Sequence, residues 1–98
     1  MAQFDVYRLE GGELALDVQT DLLSGFQTRV VIPLVPVDGT LVIHARLNPV
    51  VHIEGVSYML ATQSLIALER RELGPAVANL TDRFDEIRSA LDMIFLGF

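Results

Sequence analysis

Residues 28–34 read Thr-Arg-Val-Val-Ile-Pro-Leu, and this run decides the class of fold. Its β-branched side chains are typical of a strand that packs within a sheet. Pro33 has no amide hydrogen to donate, so we expect it at the end of this strand or at a sheet edge. Alternating patterns on both sides of the run extend the prediction of β-structure outward.

The residues before this run predict a hairpin. Residues 3–9 and 14–19 both alternate between two sets of side chains, as half-buried strands do. Gly11 and Gly12 lie between them, and a type I′ turn needs positive φ at both central positions. We therefore expect two antiparallel strands joined at this glycine pair.

The residues after the run predict more strands. Residues 41–47 alternate, and residues 50–54 and 56–61 flank Gly55 as a second hairpin. Residues 64–73 fit either a short helix or a strand, and in both cases we expect the element to end at Gly74 and Pro75.

The last segment predicts a helix over about residues 82–96, which contain neither Gly nor Pro. Apolar residues recur there at spacings of three and four and form one stripe: Leu80, Phe84, Ile87, Leu91 and Ile94. Thr81 is expected to cap this helix. Strands over about 3–73 followed by one helix predict a single mainly β domain, residues 1–98, in which the helix packs on a small antiparallel sheet or barrel.

The composition excludes several classes of function. The 98 residues include 13 acidic and 7 basic ones, for a net charge of -6, whereas binding a phosphate backbone needs concentrated positive charge. The absence of cysteine excludes disulfides, thiolate metal sites and cysteine nucleophiles, and is compatible with the cytoplasm. Neither a signal peptide nor an apolar run of about 20 residues is found, so we expect no secretion and no membrane span.

The apolar content predicts a partner. Hydrophobic residues make up 51% of the chain, which is high for a small domain, and a monomer of this size covers only part of them. A second copy of the chain is the simplest cover. The bulky ending Phe95-Leu96-Gly97-Phe98 closes the core, contacts that second copy or inserts into another protein, and composition alone does not choose among these.

The polar side chains give weak signals for chemistry. His44 and His52 lie in predicted strands, and we interpret them as making local hydrogen bonds rather than binding metal, since further ligands at suitable spacing are missing. Asp17 and Asp21 are four residues apart around the end of a strand, and such a carboxylate pair can serve hydrolysis or metal binding. Since no third ligand or base lies nearby in the sequence, solvated acids are the favoured interpretation, and an acidic edge for a basic peptide is a third one. No cofactor-binding or metal-binding residue is predicted.

Thr28 and Arg29 offer a hydroxyl and a guanidinium that could act on a phosphodiester. A single arginine is weak evidence, and a surface arginine on a strand is the commoner case. A ribonuclease is also expected to collect more positive charge around its substrate. We therefore predict no catalytic residue.

Five stretches between residues 3 and 98 carry a family resemblance by their order. They are Gln3-Phe-Asp-Val-Tyr7, Asp17-Val-Gln-Thr-Asp-Leu-Leu23, Val31-Ile-Pro-Leu34, Leu47-Asn-Pro-Val-Val-His-Ile53 and Met93-Ile-Phe-Leu-Gly-Phe98. Together they resemble CcdB, a family of toxins from bacterial toxin–antitoxin modules. The resemblance implies an SH3-like antiparallel barrel with a C-terminal helix, a two-fold homodimer, an extended strand over 64–73, and no catalysis by the toxin itself.

The resemblance also implies a target and an antidote. A toxin of this family binds the A subunit of DNA gyrase in the cytoplasm and traps the enzyme on cleaved DNA. A CcdA-like antitoxin wraps the toxin and displaces it, and the complex represses its own operon through DNA contacts made by the antitoxin. The implied gyrase-binding residues are Leu22, Leu23, Asp92, Leu96, Gly97 and Phe98, and the implied antitoxin-binding residues are Tyr7, Asp17 and Asp21.

Two positions depart from the family pattern. Leu96 stands where the family has a tryptophan, and Asp92 where it has an asparagine. Either Phe98 supplies the aromatic ring instead, or this homologue no longer poisons gyrase. An endoribonuclease toxin of the MazF/Kid type, using Thr28 and Arg29 on the same fold, is the alternative from another functional class.

Overall fold

A computed structural model describes residues 2–98, so Met1 of the predicted domain lies outside the described residues. These residues form seven strands and one α-helix. The elements are β1 (Asp5–Leu9), β2 (Leu14–Asp17), β3 (Thr28–Pro36), β4 (Val50–Ile53), β5 (Val56–Leu60), β6 (Ile66–Glu69), β7 (Leu73–Asn79) and α1 (Phe84–Leu96). The predicted class, mainly β with a C-terminal helix, is confirmed.

The central strand of the sheet is β3. The sheet has the order β4-β5-β3-β2-β1-β7, every pair is antiparallel, and β6 also pairs with β3. The first half of β3 lies beside β6 and its last residues lie beside β5. This change of partner along one strand lets the sheet curl into a half-barrel. Its apolar core takes residues from β1 to β5, together with Leu80 and Ile87 beside the open side.

Pro33 does not lie at a strand end or on an edge strand, so that prediction is wrong. It pairs with Ala15 inside β3, and its carbonyl oxygen accepts the Ala61 N–H at 2.9 Å. On that side β3 changes partner, from β6 at Val31 to β5 at Leu34. The N–H and C=O of one residue point to the same side of a strand, so the amide hydrogen that Pro33 lacks would point to the gap between β6 and β5. Among residues 2–98 no strand pairs with that side of β3 at this point, so no hydrogen bond of the sheet is lost.

The predicted type I′ turn lies at a different hairpin. Between β1 and β2 only Gly12 has positive φ (93°), and its N–H donates to the Leu9 carbonyl oxygen at 2.9 Å. Between β4 and β5 both Glu54 (52°) and Gly55 (79°) have positive φ, as a type I′ turn requires. The hairpin predicted around Gly55 is therefore confirmed.

Residues 41–47 form no strand, and that prediction is wrong. They belong to a loop over 37–49 in which side chains bind the backbone. The His44 Nδ1 accepts the N–H groups of Arg46 (3.3 Å) and Leu47 (3.1 Å), and the Asn48 Oδ1 accepts the His44 N–H at 3.1 Å. Such local bonds compete with strand pairing and hold the backbone in a turn.

Residues 64–73 resolve into strand β6 and a short 3-10 turn, Arg70–Glu72. The expected break at Gly74 and Pro75 is wrong, since β7 runs through both. Tyr7 pairs with Ala76 and Leu9 pairs with Leu73, so two steps along β1 lie opposite three steps along β7. The extra residue of β7 forms a β-bulge. A terminal strand with a bulge accepts both glycine and proline.

The helix begins later than predicted, after a 3-10 turn, Thr81–Arg83. Thr81 does not cap it through its side chain; the Asn79 Oδ1 accepts the Thr81 N–H at 2.9 Å instead. The ring of Phe84 meets Phe4 edge-on at 5.6 Å, which fixes the start of α1 against β1. Within residues 2–98, no helix is both long and apolar enough to cross a membrane.

Candidate functional site

The end of α1 presents an apolar surface. Phe95, Leu96 and Phe98 are 66%, 60% and 74% exposed. Gly97 turns the chain with φ 77°, and its N–H donates to the carbonyl oxygens of Asp92 (3.1 Å) and Met93 (3.2 Å). Because the left-handed conformation suits glycine, this turn closes the helix and holds Phe98 beside its last residues.

Asp92 lies one turn before this end. Its carboxylate is 3.9 Å from the Arg88 Nε, a loose pair between half-exposed side chains. The structure thus groups four of the predicted gyrase-binding residues, Asp92, Leu96, Gly97 and Phe98, at one end of the helix.

The other two predicted gyrase-binding residues lie on a separate element. Leu22 and Leu23 belong to a 3-10 turn, Asp21–Leu23, between β2 and β3. The Thr20 Oγ1 accepts the Leu22 N–H at 3.3 Å, and Leu22 is 92% exposed. The turn therefore displays a leucine whose exposure is costly unless a partner covers it.

Asp17 and Arg29 form an ion pair with both side chains fully buried. The Arg29 Nε and Nη2 donate to the Asp17 Oδ2 at 2.9 and 2.8 Å, and the Asp17 Oδ1 accepts the Gln19 N–H at 3.0 Å. Burial raises the pKa of Asp17, and the hydrogen bond from Arg29 opposes that rise. The predictions of a solvated Asp17 and a surface Arg29 are wrong, because strand pairing covers both.

The buried guanidinium keeps one donor without a partner. Among residues 2–98, the Arg29 Nη1 and the Thr62 Oγ1 are buried atoms without a hydrogen-bond partner. Thr28, in contrast, is exposed, so it and Arg29 lie on opposite faces of β3 and do not form a joint site. Sequence reasoning missed Thr62, because a threonine between apolar strands carries no periodic signal of burial.

The predicted antitoxin-binding residues differ in exposure. Asp21 is exposed, and its Oδ1 accepts the Gln3 N–H at 2.7 Å. Tyr7 is buried, with its hydroxyl donating to the Asp5 Oδ2 at 3.2 Å. Burial, and then the charge of Asp5, raises the pKa of Tyr7. Of the three predicted residues, Asp21 is the one exposed to a partner. Tyr7 and Asp17 are buried beneath the surface.

The two histidines lie apart. His52 is exposed on β4, with its Nδ1 2.9 Å from the Ser57 Oγ on β5, and His44 belongs to the loop over 37–49. In the part of the chain from Ala2 onward, no three His, Asp or Glu side chains converge as metal ligands. Both histidines make the local hydrogen bonds that the sequence analysis expected.

The chain matches the model of one protein family and resembles a number of solved structures, among them two endoribonucleases. The sequence model of the CcdB protein family matches residues 3–97. An endoribonuclease in complex with its cognate antitoxin, from Mycobacterial species, superposes with a TM-score of 0.76 at 18% identity, covering 95% of this chain and 92% of that one. An endoribonuclease from Mycobacterial species gives 0.69 at 19% identity, covering 95% and 88%.

These structures correct one expectation. The sequence analysis predicted a protein without enzymatic activity, yet both similar structures are endoribonucleases. The fold is thus one that supports catalysis.

Proposed function

Because this chain belongs to the CcdB family of toxins from toxin–antitoxin modules, we propose that it binds the A subunit of DNA gyrase and traps that enzyme on cleaved DNA. The observation that carries the proposal is the apolar end of α1. Three large side chains are more than half exposed there within four residues. Covering each of them gains about 1.5–3 kcal/mol, which a protein partner supplies.

Phe98 is the residue on which we expect the gyrase contact to depend. Leu96 provides an aliphatic surface, whereas interface hot spots are enriched in aromatic side chains. Phe98 is 74% exposed and directly follows the Gly97 turn, so its ring is free to enter a cleft in the partner. This arrangement lets an aromatic ring two positions further on replace the family tryptophan.

A homodimer forms part of the proposal. Large apolar residues remain exposed on the loops, on β6 and on α1, and a second copy of the chain would cover part of them: Phe26, Val42, Ile66 and Phe84 are among them. Two-fold symmetry presents two copies of the helix end to a target that is itself two-fold.

The antitoxin partner is proposed to be CcdA-like. One of the similar structures holds an endoribonuclease with its cognate antitoxin, so this fold receives such a partner. Asp21 is an exposed acid on a chain of net charge -6, which suits a peptide that carries arginine. Asp17 and Tyr7 would support that surface from beneath. The proposed location is the cytoplasm, where both proposed partners would be met.

A DNA-cleavage assay tests the gyrase proposal. The purified protein is incubated with its host's gyrase, supercoiled DNA and ATP, and linear DNA is scored after detergent and protease. We expect linear DNA with the native protein and with Val56→Ala, a control at another exposed apolar residue, and its loss with Phe98→Ala. A folded native protein that releases no linear DNA would refute gyrase poisoning.

RNA cleavage is a second candidate, favoured by the two endoribonucleases that share the fold. Arg29 is poorly placed for it, because its side chain is buried and paired with Asp17. The same preparation is therefore incubated with RNA. Cleavage that survives Phe98→Ala, without linear DNA from gyrase, would assign the protein to this class instead.

A further inference from the structure

Helix α1 is held on the sheet by few contacts. Of its 13 residues only Ile87 and Ala90 are buried. At its start, Glu86 accepts hydrogen bonds from Arg83, which also donates to the Val50 carbonyl oxygen on β4 at 3.0 Å. Beyond that start, one side-chain hydrogen bond among residues 2–98 joins α1 to another part of the chain, from the Arg46 Nε to the Ser89 Oγ at 2.7 Å. The start of the helix is thus held by Arg83 and by the Phe84–Phe4 contact, whereas its second half is held by packing, including that of Leu91, and by the bond from Arg46.

Arg46 is itself held in place through a turn that is tied to the sheet. The Arg46 N–H donates to the His44 Nδ1, and the Asn48 N–H donates to the His44 carbonyl oxygen at 2.9 Å. Asn48 is buried, and its Nδ2 donates to the carbonyl oxygen of Leu60 on β5 at 3.0 Å. A continuous set of hydrogen bonds thus runs from the sheet, through the turn, to the middle of α1.

Ser89 shares a helix face with the apolar end. Residues seven apart lie on nearly the same side of an α-helix, so Ser89 lies in line with Leu96, about 10 Å along the axis. A rotation of the helix about its axis at Ser89 consequently carries Leu96 with it. The position of Ser89 relative to the loop is therefore a determinant of where the apolar end points.

We propose that Arg46 is a positioning residue, whose bond to Ser89 fixes the orientation in which α1 presents its apolar end to a protein partner. The inference rests on the proposed function for the identity of that partner, and on the structure for the bond. Without the bond, packing at Ile87, Ala90 and Leu91 still holds the helix, but its last turn fluctuates more and binding must order it first.

The test is a double-mutant cycle with two measurements. The variants are Arg46→Ala, Ser89→Ala, the pair together, and Arg46→Lys, which keeps a cationic donor. Arg71→Ala is the control, because Arg71 is exposed and paired only with Glu69. Amide hydrogen exchange over residues 91–98 reports the helix end without any partner, and gyrase-dependent DNA cleavage reports the function.

We expect each single variant to speed exchange at the helix end and to lower cleavage about two- to twelvefold, the range for one hydrogen bond. The double variant should do no more than either single one, and Arg46→Lys should restore part of both signals. Unchanged exchange in Arg46→Ala, or additive losses in the double variant, would overturn the proposal. If native protein fails to poison gyrase, the exchange measurement still decides the positioning role.

Discussion

Replacing the buried Arg29 by methionine is the sharpest test of how this fold is held together. Methionine has a similar length and fills the space, while the Asp17 carboxylate loses the partner that opposes its burial. At neutral pH the variant must either keep an unpaired buried charge or take up a proton. Both alternatives lower the free energy of unfolding.

The size of the loss follows from the geometry of the pair. Two donors of Arg29 reach one oxygen of Asp17 at 2.9 and 2.8 Å, and both side chains are wholly covered. Removing one partner of such a pair costs about 3–5 kcal/mol. Small domains have about 5–15 kcal/mol in total and lose about 4–8 °C of Tm per kcal/mol, so the Tm should fall by about 12–40 °C.

Urea denaturation at one fixed protein concentration measures this loss, since the proposed dimer would make stability depend on concentration. Two controls separate charge from packing. Arg71→Met removes an exposed arginine and should cost at most about 1 kcal/mol. Adding Asp17→Asn to Arg29→Met removes the orphaned charge, keeps an acceptor for the Gln19 N–H, and should recover much of the stability.

The pH dependence gives a second check. Without Arg29, burial of Asp17 is opposed mainly by the hydrogen bond from the Gln19 N–H, so the folded-state pKa of Asp17 rises further above the unfolded value of about 3.9. An acid with a raised folded-state pKa destabilises the fold above that pKa, and the penalty disappears as pH falls below the unfolded pKa. The stability difference from native protein should thus narrow in acid. A loss below about 1 kcal/mol at neutral pH, or one that does not change with pH, would refute this reasoning.

Two further changes test local structure. Gly74→Ala should lower the free energy of unfolding by about 1–3 kcal/mol in urea denaturation, because the added Cβ would overlap the Arg8 carbonyl oxygen. Gly39→Ala is the control: its Cβ would enter open space, so the change should stay within about 0.5 kcal/mol. Equal effects of the two substitutions would contradict the bulge geometry. In a Tyr58→Phe variant Tyr7 is the remaining tyrosine, so phenolate absorbance reports its ionisation alone. Because burial raises the pKa of Tyr7, the absorbance should appear above the ordinary pKa of about 10, and the free energy of unfolding should fall as pH rises from that value through the raised pKa. Ionisation at the ordinary pH would contradict the burial of Tyr7.

The elements that could be predicted from the sequence are those in which periodicity reports burial directly. The hairpin around Gly55 and helix α1 were both predicted, since each buries one side and each ends at a residue with a distinctive backbone requirement. The position of the hairpin at Gly12 was predicted correctly, but its turn type was not. Two glycines permit positive φ without requiring it.

The elements that could not be predicted depend on contacts between distant residues. Arg29 resembles a surface residue in its own strand, and only the pairing of β2 with β3 brings Asp17 beside it. In a strand covered on both sides, a polar residue among apolar ones no longer marks an exposed face. Residues 41–47 alternate like a strand, but His44 and Asn48 supply bonds that the alternation does not reveal.

The fold and the surface of the candidate site carry different information about the target. The same fold occurs in endoribonucleases, so a half-barrel with a C-terminal helix does not select a target. The surface does distinguish the candidates. A net charge of -6 opposes binding of RNA. Arg29, the cation considered for phosphodiester cleavage, is buried in its pair with Asp17. The exposed ring of Phe98 offers an aromatic contact to an apolar cleft in a protein, and the gyrase proposal depends on that contact.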